Sequence, residues 1–297
     1  MGSFAYDGLQ RHLPIGREQT VNHQQQNTFI PELHDPSGER LKKTDQLGIT
    51  MLIDKGISVK WFEEFLEQSR KFVHYIKLGF GTTMLYPPEI LQKKLQIAKN
   101  AGIILYPGGT LFEIACHQGV LRDLFNYLKK IGFHHLEISD GTIELPAAMR
   151  KKLIKEAIRE GFAVITEFGK KAVGSRFEVD ELKRTLYSDL ESGASYVIVE
   201  GRESGKDVGI YDENGSIDLN FLHKIEQMIP EEMRNYLIWE APKKNQQIAL
   251  IHFWGRNVNM GNIQFEDAFN LECLRRGLRF DTFPLKPSEN ILQVNEM

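Results

Sequence analysis

Cysteine is scarce in this chain of 297 residues, which contains only Cys116 and Cys273. The two lie far apart, each within a helix-like stretch, so they match neither a disulfide framework nor the ligand spacing of a zinc site. Free cysteines are often buried, and we predict two reduced thiols in the core. Cysteine chemistry is therefore not expected to organise the fold.

Long apolar runs are also missing. No run approaches the ~20 residues that span a bilayer, and the N-terminal MGSFAYDG has no apolar signal core. Neither sign of charge dominates, since the formal net charge is -3 and the pI is about 6.3. A chain with this charge balance lacks the overall positive charge that is typical of nucleic-acid-binding proteins. We expect a cytoplasmic protein that binds neither membranes nor nucleic acid.

Hydrophobic periodicity is absent from residues 1–43, which are polar and contain HQQQN at 23–27 and three prolines. This composition is typical of a poorly ordered extension. We therefore predict a polar, disordered N-terminal extension over 1–43 and a single domain over 44–297.

Short apolar runs alternate with amphipathic helical stretches throughout the domain. The runs are LGITMLI (47–53), VHYIKLGF (73–80), GIILYPGG (102–109), HHLEIS (134–139), FAVITEF (162–168), SYVIVEG (195–201), YLIWEAP (236–242) and NVNMGNI (257–263). Four helical stretches end at a glycine just before the next run, namely Gly102, Gly132, Gly161 and Gly193, as expected for left-handed helix ends. Alternation with short connections predicts a covered parallel sheet.

The number of units favours a closed α/β barrel. Eight units in about 240 residues match a (β/α)8 (TIM) barrel better than an open doubly wound sheet. The first run leads into IDKGIS, which lacks the GxGxxG fingerprint of the open dinucleotide-binding sheet.

Ionisable residues occur at six of the eight strand ends, where such barrels hold their chemistry. The carboxylates are Asp54, Glu137, Asp140, Glu167, Glu200 and Glu240, and the cations include Lys77, Lys170, Lys171 and Arg202. A single charge after a strand usually just begins a solvated loop. Several of these charges lie inside apolar runs, however, where an unpaired charge is costly. The set therefore predicts a charged pocket.

The residue types suit a small polyanion activated by a metal. Carboxylates bind hard cations such as Mg²⁺, and arginine and lysine bind phosphate or carboxylate. Glycine-containing turns at 79–82, 107–110 and 139–142 bring backbone N–H groups near phosphate-type oxygens. We interpret the loop 205–218 as a mobile lid.

Six ordered motifs resemble the phosphosulfolactate synthase family. They are YPGGTLFE (106–113), LEISDGT (136–142), TEFGKK (166–171), VEGRESG (199–205), WEAP with KKNQQ (239–247) and NVNMGNI (257–263). The closing LRRGLRFDTF (274–283) is also similar, so the resemblance covers roughly 47–283 and leaves out 1–43.

The resemblance implies a barrel lyase that adds sulfite to phosphoenolpyruvate with Mg²⁺, giving (2R)-2-O-phospho-3-sulfolactate. This carbon–sulfur bond formation serves coenzyme M biosynthesis in methanogens and sulfolactate production in some bacteria. The resemblance also implies a homo-oligomer such as a trimer.

Roles follow from this chemistry. The carbanion must be protonated from one face, and we expect Lys170 or Lys171 to be the acid. Only one of them should serve, because adjacent residues face in different directions. We expect neighbouring cations to depress the pKa of that lysine. Lys77 and Arg202 are expected to bind substrate anions. The metal candidates are Glu137, Glu167, Glu200 and Glu240, two or three of them binding directly. The substrate-binding candidates are Asp54, Gly109, Thr110, Ser139, Asp140, Ser204, Asn257, Asn259 and Asn262, the asparagines forming a phosphate site near the last strand.

Two alternatives stay open on sequence alone. One is an aldolase acting on a phosphorylated substrate through a strand-end lysine as Schiff base. The other is a non-enzymatic stress-associated barrel protein, because the resemblance extends to plant heat-stress proteins.

Overall fold

Eight short strands form the centre of the computed structural model, which describes residue 30 and residues 33–45 and 47–284. The strands are β1 (Thr50–Asp54), β2 (Tyr75–Leu78), β3 (Ile104–Pro107), β4 (His135–Ile138), β5 (Ala163–Phe168), β6 (Tyr196–Val199), β7 (Leu237–Glu240) and β8 (Met260–Ile263). All eight predicted strands are confirmed.

Helices connect successive strands and cover them. They are α1 (Val59–Ser69), α2 (Pro88–Asn100), α3 (Gly109–His117), α4 (Leu121–Ile131), α5 (Ala147–Arg159), α6 (Val179–Glu191), α7 (Leu219–Met228), α8 (Glu231–Arg234), α9 (Lys244–Trp254) and α10 (Ala268–Arg276). The glycines predicted to close four helical stretches, Gly102, Gly132, Gly161 and Gly193, all have left-handed φ. That prediction is confirmed.

The strands are parallel and follow the order β3-β2-β1-β8-β7-β6-β5-β4. The first and last members of this order, β3 and β4, lie side by side without a hydrogen-bonded ladder among the described residues. The fold is thus a nearly closed (β/α)8 barrel, as predicted, with a seam between β3 and β4.

Two apolar layers arise because successive strand residues point to opposite faces. Outward residues such as Leu52 and Val197 join the large core beneath the helices. Inward residues form a smaller core that includes Ile165, Ile198 and Ile238. A glutamate follows each of these three isoleucines two positions later, in the segments ITE, IVE and IWE. The alternation therefore places these glutamates above the inner core, at the C-terminal end of the barrel.

Part of the predicted extension contacts the barrel. Arg40 forms an ion pair with Glu272 of α10 at 3.1 Å, and the Leu41 amide donates to Asn257 Oδ1 at 3.0 Å. Residues 33–43 thus differ from the expectation of poor order, because their polar groups find partners across the bottom of the barrel. Residues 1–29 and 31–32 lie outside the described residues, and the domain boundary at 43 stays a prediction.

Both cysteines are unpaired and partly buried. Among the residues that the structure describes, no helix has the length and apolar character needed to cross a membrane.

Candidate active site

Lys77 lies at the centre of the charged layer above the inner core. Its Nζ is 2.8 Å from Glu240 Oε1, 3.2 Å from Glu167 Oε2 and 3.6 Å from Glu137 Oε2. These residues come from β2, β7, β5 and β4, and all of them are nearly inaccessible to solvent. The inward register of four strands therefore brings together one cation and three of the four predicted metal ligands.

Lys171 forms a second cationic centre beside the first. Its Nζ lies 2.9 Å from Glu167 Oε1, 3.4 Å from Glu113 Oε1 and 3.9 Å from Glu200 Oε2. Lys170 points elsewhere, with its Nζ donating to the carbonyl oxygens of Asp140 at 2.8 Å and Ile143 at 2.9 Å. The opposite directions expected of adjacent residues are thus observed, and Lys171 is the one in the pocket.

Glu113 is a buried site residue that the sequence analysis did not single out. Its carboxylate accepts hydrogen bonds from the Ser139 hydroxyl, from the Gly141 amide at 3.0 Å and from the Thr142 amide at 3.1 Å. A detectable signal was its place in the first turns of a helix directly after the PGGT turn. Glu113 fixes the loop after β4 and contacts Lys171.

The pKa values of both pocket lysines are raised. Burial alone would lower the pKa of Lys171, but the charges of Glu167, Glu200 and Glu113 outweigh it. Burial is likewise outweighed at Lys77, whose pKa rises well above its ordinary value because of Glu137, Glu240 and Glu167. The expectation of a depressed lysine pKa is therefore wrong, because carboxylates rather than cations surround the two ammonium groups.

Crowding separates the pKa values of the glutamates. Burial raises the pKa of Glu137 to about 8 despite the opposing charge of Lys77. Burial and the charges of Glu167 and Glu240 raise the pKa of Glu200 well above its usual range. Burial also acts on Glu167, but Lys171 and Lys77 overcome it and lower the pKa of that carboxyl. The crowding therefore moves the pKa values of neighbouring carboxyl groups in opposite directions.

The charged layer opens into a cavity of about 180 Å³. Ten predicted site residues line it, namely Lys77, Gly109, Thr110, Glu137, Glu167, Lys171, Glu200, Arg202, Glu240 and Asn262. Sequence reasoning missed the lining residues Ile53, Phe80 and Glu203.

Asp54 does not reach the pocket, although it ends β1. It is one position beyond the inward Ile53, so strand alternation directs it towards the helices. There its Oδ2 binds Lys94 Nζ at 2.6 Å, and its Oδ1 accepts from the Gly56 and Ile57 amides. Its predicted role in substrate binding is replaced by a structural contact with α2.

Asn257 and Asn259 lie at the opposite end of the barrel. They precede β8, which begins at Met260, so they belong to its N-terminal side. Asn259 Oδ1 accepts from the Ile49 amide at 3.0 Å, and Asn257 Oδ1 accepts from Arg40 at 3.3 Å. The predicted phosphate site thus retains only Asn262, because the strand starts later than its apolar pattern suggested.

Three further candidates stand beside the cavity rather than on it. Ser139 donates to Glu113, and Asp140 accepts from Arg150 Nη1 at 3.0 Å. Ser204 is half-buried in the loop after β6. None of the three is among the residues lining the cavity.

The loop 205–218 is anchored rather than free. Val208 and Tyr211 are buried, the Gly209 amide donates to the Ser175 carbonyl at 2.9 Å, and the Tyr211 hydroxyl donates to the Glu240 carbonyl. These contacts differ from the expectation of a mobile lid, because apolar side chains tie the loop to the barrel top.

The donor chemistry of the pocket fits a hard divalent cation. Glu137 Oε2 and Glu200 Oε2 are buried oxygens that accept no hydrogen bond, and oxygen donors of this kind suit Mg²⁺. Five carboxylates (Glu113, Glu137, Glu167, Glu200 and Glu240) face three cations (Lys77, Lys171 and Arg202). The described residues contain no ready-made metal-binding group of three such side chains, since the Lys77 ammonium stands where three carboxylates converge.

Fold and site together define a (β/α)8 barrel whose strand ends carry an acidic pocket with two embedded lysines. A model of the family described as (2R)-phospho-3-sulfolactate synthase (ComA) matches residues 38–281. The chain belongs to this family.

Characterised relatives agree with the assignment. The phosphosulfolactate synthases of Methanocaldococcus jannaschii and Methanothermobacter thermautotrophicus are each 40% identical, over 82% of this chain and 97% and 94% of their own lengths. That of Bacillus subtilis is 34% identical, over 82% of this chain and 95% of its own. These homologues imply that the chain is an enzyme. The family match also begins at residue 38, inside the segment predicted to fall outside the resemblance.

Proposed function

We propose that the protein adds sulfite to phosphoenolpyruvate in a Mg²⁺-dependent reaction, forming (2R)-2-O-phospho-3-sulfolactate as a carbon–sulfur lyase. The observation that carries the proposal is the placement of Lys171. Its ammonium faces the cavity from the loop after β5, among the carboxylates of Glu113, Glu167 and Glu200. It can therefore reach a carbanion formed there.

The chain's own residues supply binding and proton transfer. Sulfite sulfur forms a bond to the methylene carbon, and the double-bond electrons move towards the substrate carboxylate as an enediolate. Lys171 then donates a proton to the adjacent carbon from one face. Lys77 and Arg202 neutralise the phosphate, carboxylate or sulfite charges. No leaving group departs, so the product contains both substrates and one proton.

Glu137, Glu167, Glu200 and Glu240 are the residues that would hold Mg²⁺, two or three of them directly. When bound, the metal would supply positive charge that stabilises the enediolate.

The Schiff-base alternative is weakened by the surroundings of its lysines. Imine formation needs a neutral amine, whereas Lys171 is held by Glu113, Glu167 and Glu200. Borohydride reduction with a keto substrate should accordingly trap no adduct on Lys170 or Lys171.

The deciding experiment is a direct assay of the full chain with phosphoenolpyruvate, sulfite and Mg²⁺. We expect loss of the enol absorbance that requires all three components. A folded protein without turnover across several divalent metals would overturn the proposal and favour the non-enzymatic stress-associated alternative. The proposal also includes a cytoplasmic location and a homo-oligomer such as a trimer. Gel filtration with light scattering would test the oligomeric state.

A further inference from the structure

Left-handed backbone conformations cluster around the pocket. Four non-glycine residues of the described chain have positive φ, namely Phe80 (56°), Arg202 (56°), Asp207 (49°) and Asn262 (54°). Phe80, Arg202 and Asn262 line the cavity. Positive φ is a genuine outlier for a bulky side chain, and such strain concentrates at functional sites.

Each of these three residues follows a glycine that is pressed against a neighbouring strand. A Cβ on Gly79 would lie 2.8 Å from the Ile53 side chain, one on Gly201 2.5 Å from the Glu240 carbonyl oxygen, and one on Gly261 3.2 Å from Ile238 Cγ2. A Cβ would force a neighbouring atom to shift at Gly79 and Gly201 and would make a tight contact at Gly261. A glycine followed by a left-handed residue thus occurs just after β2, just after β6 and within β8.

At β2 and β8 this arrangement redirects a side chain into the pocket. Gly79 and Gly261 occupy inward positions, so strand alternation alone would point Phe80 and Asn262 outward. The left-handed step interrupts that alternation. At β8 it coincides with a register shift against β1, where Thr50 pairs with Met260 but Leu52 pairs with Ile263. Bulges of this kind re-aim side chains next to active sites.

The three left-handed residues at the cavity differ in the chemistry of their side chains. Arg202 and Asn262 offer a guanidinium and a carboxamide, which suit anionic oxygens. Phe80 offers an apolar ring that is 45% exposed. Ile53 also lines the cavity, pairs with Lys77 across β1 and β2, and lies against Gly79, the residue before Phe80.

We propose that Phe80 is a substrate-contacting residue whose ring, with Ile53, receives the methylene edge of an enol phosphate and keeps water from the carbanion. This assignment rests on the proposed function and deepens it. The phosphate and carboxylate are anionic, so the methylene carbon is the part of such a substrate that an apolar wall suits. A strained backbone at Phe80 is retained because it aims the ring.

Three substitutions separate the ring from the backbone strain. Phe80→Ala removes the ring and keeps a side chain at positive φ, Phe80→Gly removes the ring and relieves the strain, and Phe80→Leu keeps apolar volume. We expect Phe80→Gly to melt about 2–4 °C above Phe80→Ala. We expect both to lose about ten- to a hundredfold in kcat/KM, with Phe80→Leu keeping most of it.

A binding measurement tests the assignment without turnover. By isothermal titration calorimetry, Phe80→Ala should bind phosphoenolpyruvate about tenfold more weakly than the unaltered protein. Its affinity for inorganic phosphate, which has no methylene group, should be unchanged.

The outcomes distinguish the two proposals. Unchanged kcat/KM in Phe80→Ala, or equal weakening for phosphoenolpyruvate and inorganic phosphate, overturns the role of Phe80. Absent turnover in the unaltered protein, together with selective loss of phosphoenolpyruvate affinity in Phe80→Ala, overturns the sulfite reaction and supports the enol-phosphate contact.

Discussion

Arg150 Nη2 donates a hydrogen bond to the backbone carbonyl oxygen of Glu167 at 2.9 Å, so a guanidinium on α5 holds the end of the strand that carries a pocket carboxylate. The same guanidinium binds Asp189 of α6 at 2.8 Å and Asp140 at 3.0 Å. Arg150 therefore links two helices to the site from outside the barrel.

Replacing Arg150 with methionine should destabilise the fold strongly. Asp189 is fully buried, and breaking a buried ion pair on one side leaves an uncompensated charge, which costs about 3–5 kcal/mol. Urea denaturation measures the loss. The matched control is Lys151→Met, which removes an exposed pair with Glu191 at 3.3 Å and should cost at most about 1 kcal/mol. Equal effects of the two substitutions would contradict the linking role.

Lys171→Met should reduce turnover far more than Lys170→Met. Lys171 faces the cavity, whereas Lys170 binds carbonyl oxygens outside it. We expect at least about a hundredfold loss for Lys171→Met, as is usual when a proton donor is removed, and less than about tenfold for Lys170→Met. Circular dichroism confirms folding of both variants. Inactivation by Lys170→Met alone would reverse the assignment.

Mg²⁺ should raise the melting temperature of the protein. A cation that binds only the folded state, present at about ten times its Kd, stabilises by about 1.4 kcal/mol, equivalent to about 2–3 °C for a chain of this size. Differential scanning fluorimetry with and without EDTA measures the shift. Glu200→Gln should diminish it, whereas Glu191→Gln on the exposed face of α6 should leave it intact. A shift that survives in Glu200→Gln would remove Glu200 from the set of metal ligands.

His74 should make the fold sensitive to acid. Burial, aided by Arg40, Lys43 and Arg275, lowers the pKa of His74 from 6.5 to about 3. Between those values the unfolded chain binds a proton that the folded chain refuses, so the free energy of unfolding falls as pH falls below 6.5.

The substitution His74→Asn should remove this term while keeping an acceptor near the Thr50 amide, which donates to His74 Nδ1 at 3.2 Å. The free energy of unfolding of His74→Asn, minus that of the unaltered protein, should be about 3 kcal/mol larger at pH 4 than at pH 8. Urea titrations at both pH values provide the comparison, with the exposed His117→Asn as control. A pH-independent difference between His74→Asn and the unaltered protein would refute the prediction.

Arg40→Ala should lower stability although Arg40 lies in the predicted extension. Its side chain is buried against Glu272 and donates to the Gly48 carbonyl at 3.1 Å, so its loss should cost about 2 kcal/mol. Thermal denaturation of this variant and of the exposed Lys42→Ala tests where the folded domain begins. Matching melting temperatures would support a boundary at residue 43.

Sequence reasoning succeeded where period and burial act together. Charges inside the apolar runs, such as Lys77, Glu137 and Glu200, were predicted to form a charged pocket, and all three line the cavity. Sequence reasoning did not locate residues for which a shift of one position decides the outcome. Asp54 faces the helices instead of the pocket, and Asn259 precedes β8 instead of following it. Phe80 and Glu113 were missed because a left-handed step and a long-range hydrogen bond leave no periodic trace.

Glu137, a pocket residue, also connects the two strands at the seam between β3 and β4. Gly109, just after β3, donates its amide to Glu137 Oε1 of β4 at 2.7 Å, so a side chain spans the place where ladder hydrogen bonds stop. A ligand that binds Glu137 would then change the strength of the hydrogen bond that joins β3 to β4. Occupancy of the pocket should therefore change the rate of amide hydrogen exchange along β3 and β4, because it changes how often the barrel opens at this seam.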